Sequence, residues 1–461
     1  MSSWRRLRGP LTLAVLYAIM LDLWLRARPS EVWFGSASAS LGSIALAFGL
    51  VGMTAFAANL ILGARLYPVQ LWFGGLENLY RAHRGNGRLA YVLVALHVAG
   101  IVASRWVLSP EAALDLFTPS AGKVVLLGIA AFVAMSAAIA VTLYARLTHE
   151  VFVYVQRSFG IVFGLAALHV FMTAGAKASS RSLTIFLAVL SLTAVLAFAY
   201  RSLLGDLLVR RFEYVVTAAR ELDPAVVEIT MAPVDERIRP LPGQFVYATF
   251  YSDEFLSQFH PVSVRSAGES ATIVLRPGDV RNQFHPFSLT SAPEDAEIKL
   301  AVKAVGGFTK ALHRLRPGAT ARIEGPYGEF SHLNMERTVQ TWVAGGIGIT
   351  PFLSMARSLG ADNAYNVRLW YGVKKRSEAY FWDELEAISA RVPGFAASLI
   401  AEDESGFITA EMLLGERDSD AADILICGPP AMVESLTTQL GAAGVPQDRI
   451  HGERFGFGPR T

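Results

Sequence analysis

The run Leu89–Leu108, LAYVLVALHVAGIVASRWVL, decides how the chain is read. Its length matches the roughly 20 apolar residues that cross a hydrocarbon core as a helix, the conformation that satisfies its own backbone polar groups. In its middle stands His97, a side chain that is costly in lipid unless it is paired or liganded. Working outward, comparable runs lie at Leu11–Leu25, Ser40–Leu62, Lys123–Leu143, Phe159–Ala174 and Leu183–Leu204. The amino end, with Arg5, Arg6 and Arg8 ahead of an apolar run, has the look of a secretory signal. More apolar runs follow it instead of a cleavage site and a polar mature chain, so a retained first span is expected.

Six spans therefore occupy the first 210 of 461 residues, and a soluble half follows. Net charge of +2 gives no argument for nucleic acid. A single cysteine, Cys427, excludes an intramolecular disulfide and a thiolate-held iron–sulfur cluster. Basic residues set the orientation. With the amino end inside, the inner loops carry Arg65, Arg81, Arg84, Arg88, Arg146 and Arg157, and Arg201, Arg210 and Arg211 follow the last span. The outer loops carry Arg26, Arg28, Arg105, Lys123, Lys177 and Arg181. That bias predicts six spans with both termini in the cytoplasm, and an integral protein of the cell inner membrane is expected.

A second intramembrane histidine, His169, lies in the fifth span. One such residue can equally well hydrogen-bond across a bundle. Two on parallel spans, each roughly 18–20 Å from the cytoplasmic end at the rise of a helix, can face one another as the axial ligands of a haem iron do. His83 precedes His97 by fourteen residues, about 21 Å along one helix and about 40° around it, so the two can serve separate depths. The fifth span has Gln156 at the corresponding level, with His149 seven residues earlier.

These residues resemble the ferric reductase transmembrane domain shared by NADPH oxidases and membrane ferric reductases. His83 falls in His-Arg-Gly-Asn-Gly-Arg-Leu-Ala, similar to the first ligand segment of that family, and His97 and His169 match further ligands. The resemblance implies six helices and two stacked b haems. The fourth ligand should fall at Gln156, in Gln-Arg-Ser-Phe-Gly, where family members usually carry histidine. One haem or two thus stays open.

After Arg211 the texture changes. Phe212–Thr217, Ala225–Ala232, Gln244–Phe250, Ser270–Leu275 and Glu297–Val302 are short runs divided by Pro, Gly and charge, which predicts antiparallel strands and a small barrel. His285-Pro286-Phe287-Ser288-Leu289-Thr290 alternates aromatic and hydroxyl side chains, suited to a flat ring and its polar tail, though a surface strand has the same spacing. Gly306-Gly307-Phe308-Thr309 forms a loop whose backbone can approach a phosphate. The order resembles the FAD-binding barrel of the ferredoxin–NADP reductase family. That implies His285, Pro286, Phe287, Ser288 and Thr290 around the flavin and its ribityl–phosphate side, and Gly306, Gly307, Phe308 and Thr309 at the pyrophosphate. Gln258–Val264 echoes the first of these segments and is expected as an extra hairpin or a cover.

Thr341–Ala344 runs into Gly345-Gly346-Ile347-Gly348-Ile349-Thr350-Pro351 and then a helix, the strand, glycine turn and helix of a dinucleotide site. Further strands are expected at Val367–Tyr371 and Ile424–Cys427, the latter ending in Gly428-Pro429-Pro430-Ala431-Met432. This pair of motifs, with Glu324–Gly328 at the domain junction, is similar to the nicotinamide half of the same reductase family. The resemblance implies a dinucleotide site at Gly345, Gly346, Gly348, Thr350, Pro351, Gly428 and Pro429, with Cys427 near the nicotinamide and Phe455 shielding the flavin. A buried free cysteine and a core phenylalanine, with Phe457 in competition, explain the last two as simply. Lys374 and Arg376 suit a ribose phosphate, tilting the donor from NADH toward NADPH, though a solvated loop also carries such charges.

The expected organisation is a six-helix haem-binding bundle over 1–210, a β-barrel FAD domain over 211–335 and an α/β Rossmann-like domain over 336–461. The expected activity is NAD(P)H-dependent electron transfer through FAD and haem b, across the membrane, to dioxygen, a ferric chelate or another small acceptor. Two readings compete with it. One is a single-haem reductase serving a quinone or redox-protein partner. The other is a membrane sensor or transport module with a degenerate nucleotide-binding domain.

Overall fold

A computed structural model describes residues 3–27, 34–144, 149–175, 180–251, 262–267, 270–275, 284–415 and 422–454. The chain forms two compact units, Trp4–Val209 and a second from Arg210 onward.

The first unit has six helices long and apolar enough to cross a membrane. They are α1 (Ser3–Leu25), α2 (Ala37–Gly63), α3 (Leu76–Trp106), α4 (Lys123–Tyr144), α5 (His149–Gly175) and α6 (Arg181–Phe198). Ser36 caps α2 by accepting from Ala39 N at 3.1 Å, and Ser180 caps α6 by accepting from Leu183 N at 3.3 Å. The helices centre on Met53, Phe56, Ala57, Ala90, Met135, Val162, Phe163 and Ala194, with Phe56 and Phe163 edge to face at 5.2 Å. Large aliphatics such as Val133, Ile161, Val189 and Leu196 point outward, the pattern of a surface solvated by acyl chains. Two helices exceed their apolar runs. α3 begins at Leu76, so His83 and His97 share one continuous helix, and α5 reaches back to His149 through the polar Gln156-Arg157-Ser158.

The second unit holds two sheets and a hairpin. β1 (Phe212–Asp223), β2 (Val226–Pro233), β3 (Phe245–Tyr251), β6 (His285–Ser288), β7 (Ile298–Lys303) and β8 (Thr320–Tyr327) form an antiparallel sheet in the order β6-β3-β8-β1-β2-β7. Leu289, just past β6, bridges Leu300 of β7, the strand at the opposite edge. The interior is apolar, with Tyr214, Ile229, Val246, Phe250, Leu300 and Ile323 buried. Among the described residues β4 (Val262–Ala267) and β5 (Ser270–Leu275) pair only with each other, so Ser270–Leu275 is a hairpin arm and not a member of the six-stranded sheet. The missing strand is β8, whose Glu324-Gly325-Pro326-Tyr327 end reads as a junction because Gly and Pro punctuate it. Gln258–Pro261 lie outside the described residues.

β9 (Val339–Gly345), β10 (Asn366–Val373), β11 (Phe395–Ala401), β12 (Asp423–Gly428) and β13 (Ile450–Arg454) form an all-parallel sheet ordered β11-β10-β9-β12-β13. α7 (Gly307–Ala311) follows β7, α8 (Ile349–Arg357) follows β9, α9 (Trp382–Arg391) follows β10 and α10 (Pro430–Ala442) follows β12. This is the Rossmann-like arrangement: the order reverses between β9 and β12, the place where such sheets take a ligand beyond the strand ends. β9 and β12 are buried along nearly their whole length, as strands covered on both faces must be.

Candidate functional site

In the transmembrane unit, His97 of α3 and His169 of α5 face each other with ring centroids 6.5 Å apart and planes at 63°. Each Nδ1 is 2.8 Å from a carbonyl of a neighbouring helix, Ala45 O on α2 for His97 and Val124 O on α4 for His169. A carbonyl can only accept, so each Nδ1 carries the hydrogen and each Nε2 keeps its lone pair. Among the described residues neither Nε2 has a hydrogen-bond partner. Two imidazole nitrogens at about 2 Å from one metal put ring centroids about 6–6.5 Å apart, so the pair fits a shared metal ion. No cluster of three or more metal-ligating side chains occurs among the described residues; a two-histidine donor set is one that a haem would complete.

Glycine makes room for the rings. A Cβ on Gly49 would lie 2.7 Å from His97 Nδ1, and one on Gly128 would lie 2.7 Å from His169 Cε1. His83 is held the same way, Nδ1 to Asn59 O at 3.1 Å, with a Gly63 Cβ at 3.4 Å from its ring. Gln156 lies on α5, and among the described residues no ring contact joins His83 to a second imidazole; the side chain of His149 lies outside the described residues.

The second unit brings together on one sheet edge residues expected around the flavin. β6 pairs with β3, and the His285 ring stacks on Phe308 at 3.9 Å, with Phe287 next to it at 6.5 Å from Phe308. Phe245, Tyr247 and Tyr327 form an aromatic cluster nearby on β3 and β8, Tyr327 also donating to the buried Glu324 carboxylate at 2.8 Å. The Ser288 and Thr290 hydroxyls are buried without a hydrogen-bond partner among the described residues. Orphaned buried hydroxyls call for an acceptor or donor, which the polar tail of a cofactor would supply. Pro286 is exposed on the same strand. Gly306 and Gly307 have open space where a side chain would be, so their backbone is accessible to a ligand. Thr309 Oγ1 instead closes its own turn, accepting from Val305 N at 2.9 Å and Gly306 N at 3.0 Å.

At the reversal of the parallel sheet the two glycine motifs meet backbone to backbone. A Cβ on Gly345 would come 2.4 Å from Met432 Sδ, and one on Gly348 would come 2.3 Å from Cys427 O. Gly428 lies against Gly345 at 3.1 Å by the same measure. Gly346 takes φ 54° and turns the chain into α8, in which Thr350 and Pro351 are buried; Pro429 caps α10 on the facing side. Cys427 is fully buried at the carboxyl end of β12, in register with Ala344 and Glu453. Lys374 and Arg376 are exposed past β10, and Arg376 pairs with Glu404 at 3.7 Å. Phe455 and Phe457 lie outside the described residues.

Sequence reading missed what fastens the two sheets. Arg357 of α8 forms a bidentate pair with Glu384 of α9 at 2.7 and 2.8 Å and donates to Thr290 O at 2.7 Å. Burial pushes the Glu384 carboxyl up, but the hydrogen bonds and charge of Arg357 outweigh it and hold the group below its ordinary value. Ser354 donates to Ser291 O at 2.7 Å, and Tyr380 donates to Asp223 at 2.5 Å.

Comparison with known proteins agrees with this geometry. Residues 48–167 match the ferric reductase like transmembrane component, 273–331 a FAD-binding domain and 342–438 the oxidoreductase NAD-binding domain. Ferredoxin–NADP reductase B of Sorangium cellulosum is 33% identical over 34% of this chain and 71% of its own length. The toluate 1,2-dioxygenase electron transfer component of Pseudomonas putida is 29% identical over 30% of this chain and 43% of its own. The chain thus spans less than half the length of that relative. The flavohem-like FAD/NAD binding domain of the nitric oxide dioxygenase from Vibrio cholerae, a solved structure, is 23% identical over 53% of this chain and 98% of its own, with a TM-score of 0.42. With a ferric-reductase-like transmembrane domain fused to FAD- and NAD-binding domains, the chain belongs to the ferric reductase and NADPH oxidase superfamily.

Proposed function

We propose that this protein is a transmembrane oxidoreductase that takes electrons from NADPH or NADH onto FAD at the cytoplasmic face and moves them through haem b to dioxygen, a ferric chelate or another outward acceptor. The observation that carries this reading is the facing pair His97 and His169, 6.5 Å apart, both with Nε2 left to accept a metal. The reading divides the chain at 210/211 and 335/336, closes the antiparallel sheet as a barrel and sets both termini in the cytoplasm. When bound, the nicotinamide supplies a hydride, the flavin separates its two electrons and the haem iron carries them singly.

The chain's own part is binding and positioning. His285, Phe287, Phe308 and the free hydroxyls of Ser288 and Thr290 would hold the flavin and its ribityl side. The open backbone at Gly306 and Gly307 would meet the pyrophosphate. The Gly345–Gly348 turn and Gly428-Pro429 would hold the dinucleotide in the crevice at the sheet reversal, with Cys427 lining its floor and Lys374 and Arg376 at the ribose phosphate. Orientation of the two rings, rather than covalent chemistry at Cys427, is what these groups contribute.

Purified protein in detergent, analysed for flavin and by pyridine haemochrome, tests the reading. Bound FAD and a low-spin haem spectrum are expected, and His97→Ala or His169→Ala should abolish that spectrum while leaving flavin bound. Fully loaded protein without haem would overturn the proposal.

A further inference from the structure

The transmembrane unit repeats one structural device, and its fourth copy has been rebuilt. On α2, Ala45 supplies a carbonyl to His97 Nδ1, and Gly49, four residues on, leaves space for the ring. Fourteen residues later on α2, Asn59 and Gly63 repeat that pair for His83, fourteen residues before His97 on the antiparallel α3. On α4, Val124 and Gly128 do the same for His169. A glycine inside a helix costs about 1 kcal/mol relative to alanine, and in these three cells it sits where an imidazole packs.

Fourteen residues further along α4 the cell reads Ala138 and Thr142. Thr142 stands where the glycine should be, and its Oγ1 donates to Ala138 O at 2.8 Å, the carbonyl that would have oriented a ring. Opposite, on α5, the residues fourteen and thirteen before His169 are Val155 and Gln156. Ligand and cradle are therefore lost together, on two different helices. The half of that level belonging to His83 is reinforced instead. Asn86, buried, donates to Ala55 O at 2.8 Å and to Asn59 Oδ1 at 3.2 Å and accepts from Tyr17 Oη, so the α2–α3 contact around the carbonyl that orients His83 is locked from α1 as well. The Nε2 of His83, like those of the facing pair, has no hydrogen-bond partner among the described residues.

We infer that the level of His83 holds a second haem through that imidazole alone, leaving the iron position on the α5 side, beside Gln156, open to a small exogenous ligand of the diatomic class. This rests on the haem reading above and deepens it. The protein would carry one iron with two imidazoles, closed to ligands, and one five-coordinate iron that binds them. Gln156 is a poor iron ligand but keeps an amide donor and acceptor, suited to a polar diatomic bound at that position.

The test uses the full chain in detergent, loaded with haem, with carbon monoxide as the probe. Two haems per chain are expected, one low-spin and one giving a high-spin ferric signal in electron paramagnetic resonance. On reduction, carbon monoxide should shift the Soret band of the high-spin haem only. His83→Ala should remove the high-spin signal and the carbon monoxide response and keep the low-spin spectrum. Gln156→His together with Thr142→Gly should convert the high-spin haem to low-spin and abolish the carbon monoxide response, whereas Gln156→His alone should convert it only partly. Two low-spin haems without a carbon monoxide response, or a single low-spin haem, would overturn this inference and leave the proposed function intact. No haem at all would sink the proposed function itself. The wild-type haem count and spin state decide the matter even where a variant fails to fold.

Discussion

Replacing Arg357 with alanine should slow flavin reduction without releasing the flavin. The side chain is 13% exposed and makes three bonds of 2.7–2.8 Å, two to Glu384 on α9 and one to Thr290 O just past β6, with Glu228 3.9 Å away. A hydrogen bond to a charged group is worth about 1.5–3 kcal/mol, and breaking a buried pair about 3–5. Glu384 is 39% exposed, so solvent recovers part of the loss, and about 2–4 kcal/mol is the reasonable cost. Loss of the tie frees α8, and with it the glycine turn, to shift against β6. A displacement of about 1 Å between reacting rings costs up to about 100-fold in rate. Anaerobic stopped-flow of NADPH against the FAD-loaded protein should therefore show flavin reduction slowed about 10- to 100-fold. Arg357→Lys should fall between, because an ammonium cannot make the bidentate pair. A rate within twofold of wild type, with FAD still bound, would refute the claim that this arginine sets the alignment.

Two further outcomes follow from the second unit. His332 is buried against Trp342 and Tyr365, and burial lowers its pKa to about 4. The unfolded chain therefore takes up a proton near pH 6.5 that the fold refuses, so stability present above pH 6.5 is lost as pH falls toward 4, by about 2 kcal/mol at pH 5. Unfolding followed by flavin release from pH 7 to 5 should show that slope in wild type and a flatter one in His332→Leu. Gly348→Ala would drive a Cβ to 2.3 Å from Cys427 O, a backbone atom that cannot rotate away. It should cost about 1–3 kcal/mol and weaken NADPH binding at least tenfold in an equilibrium titration, while unchanged affinity would show that the two glycine motifs need not touch.

The spans and their histidines were legible because lipid makes a polar residue conspicuous, and fourteen-residue spacing aligned His83 with His97 before any helix was seen. The carbonyls that orient them were not, since Ala45, Asn59 and Val124 act through backbone atoms that every residue carries. Gly49, Gly63 and Gly128 were readable in principle, as costly residues inside helices with no turn to justify them. In the second unit, strand texture located most elements but not their partners. Ser270–Leu275 alternates like a sheet member yet pairs only within its hairpin, and β8 hid behind its own Gly-Pro punctuation. The Arg357 tie joins residues far apart along the chain, which no local pattern announces.

The seats for the His83 and His97 rings are both cut into α2. Because Gly49 and Gly63 are notches on a single rod, the vertical interval between the two docked rings is fixed by helical rise, about 21 Å for fourteen residues. Loops on either side can lengthen, shorten or change sequence without altering that interval. An added or deleted residue between the notches would turn one of them about 100° away from its ring, so this short segment of helix is where the chain tolerates no change in length.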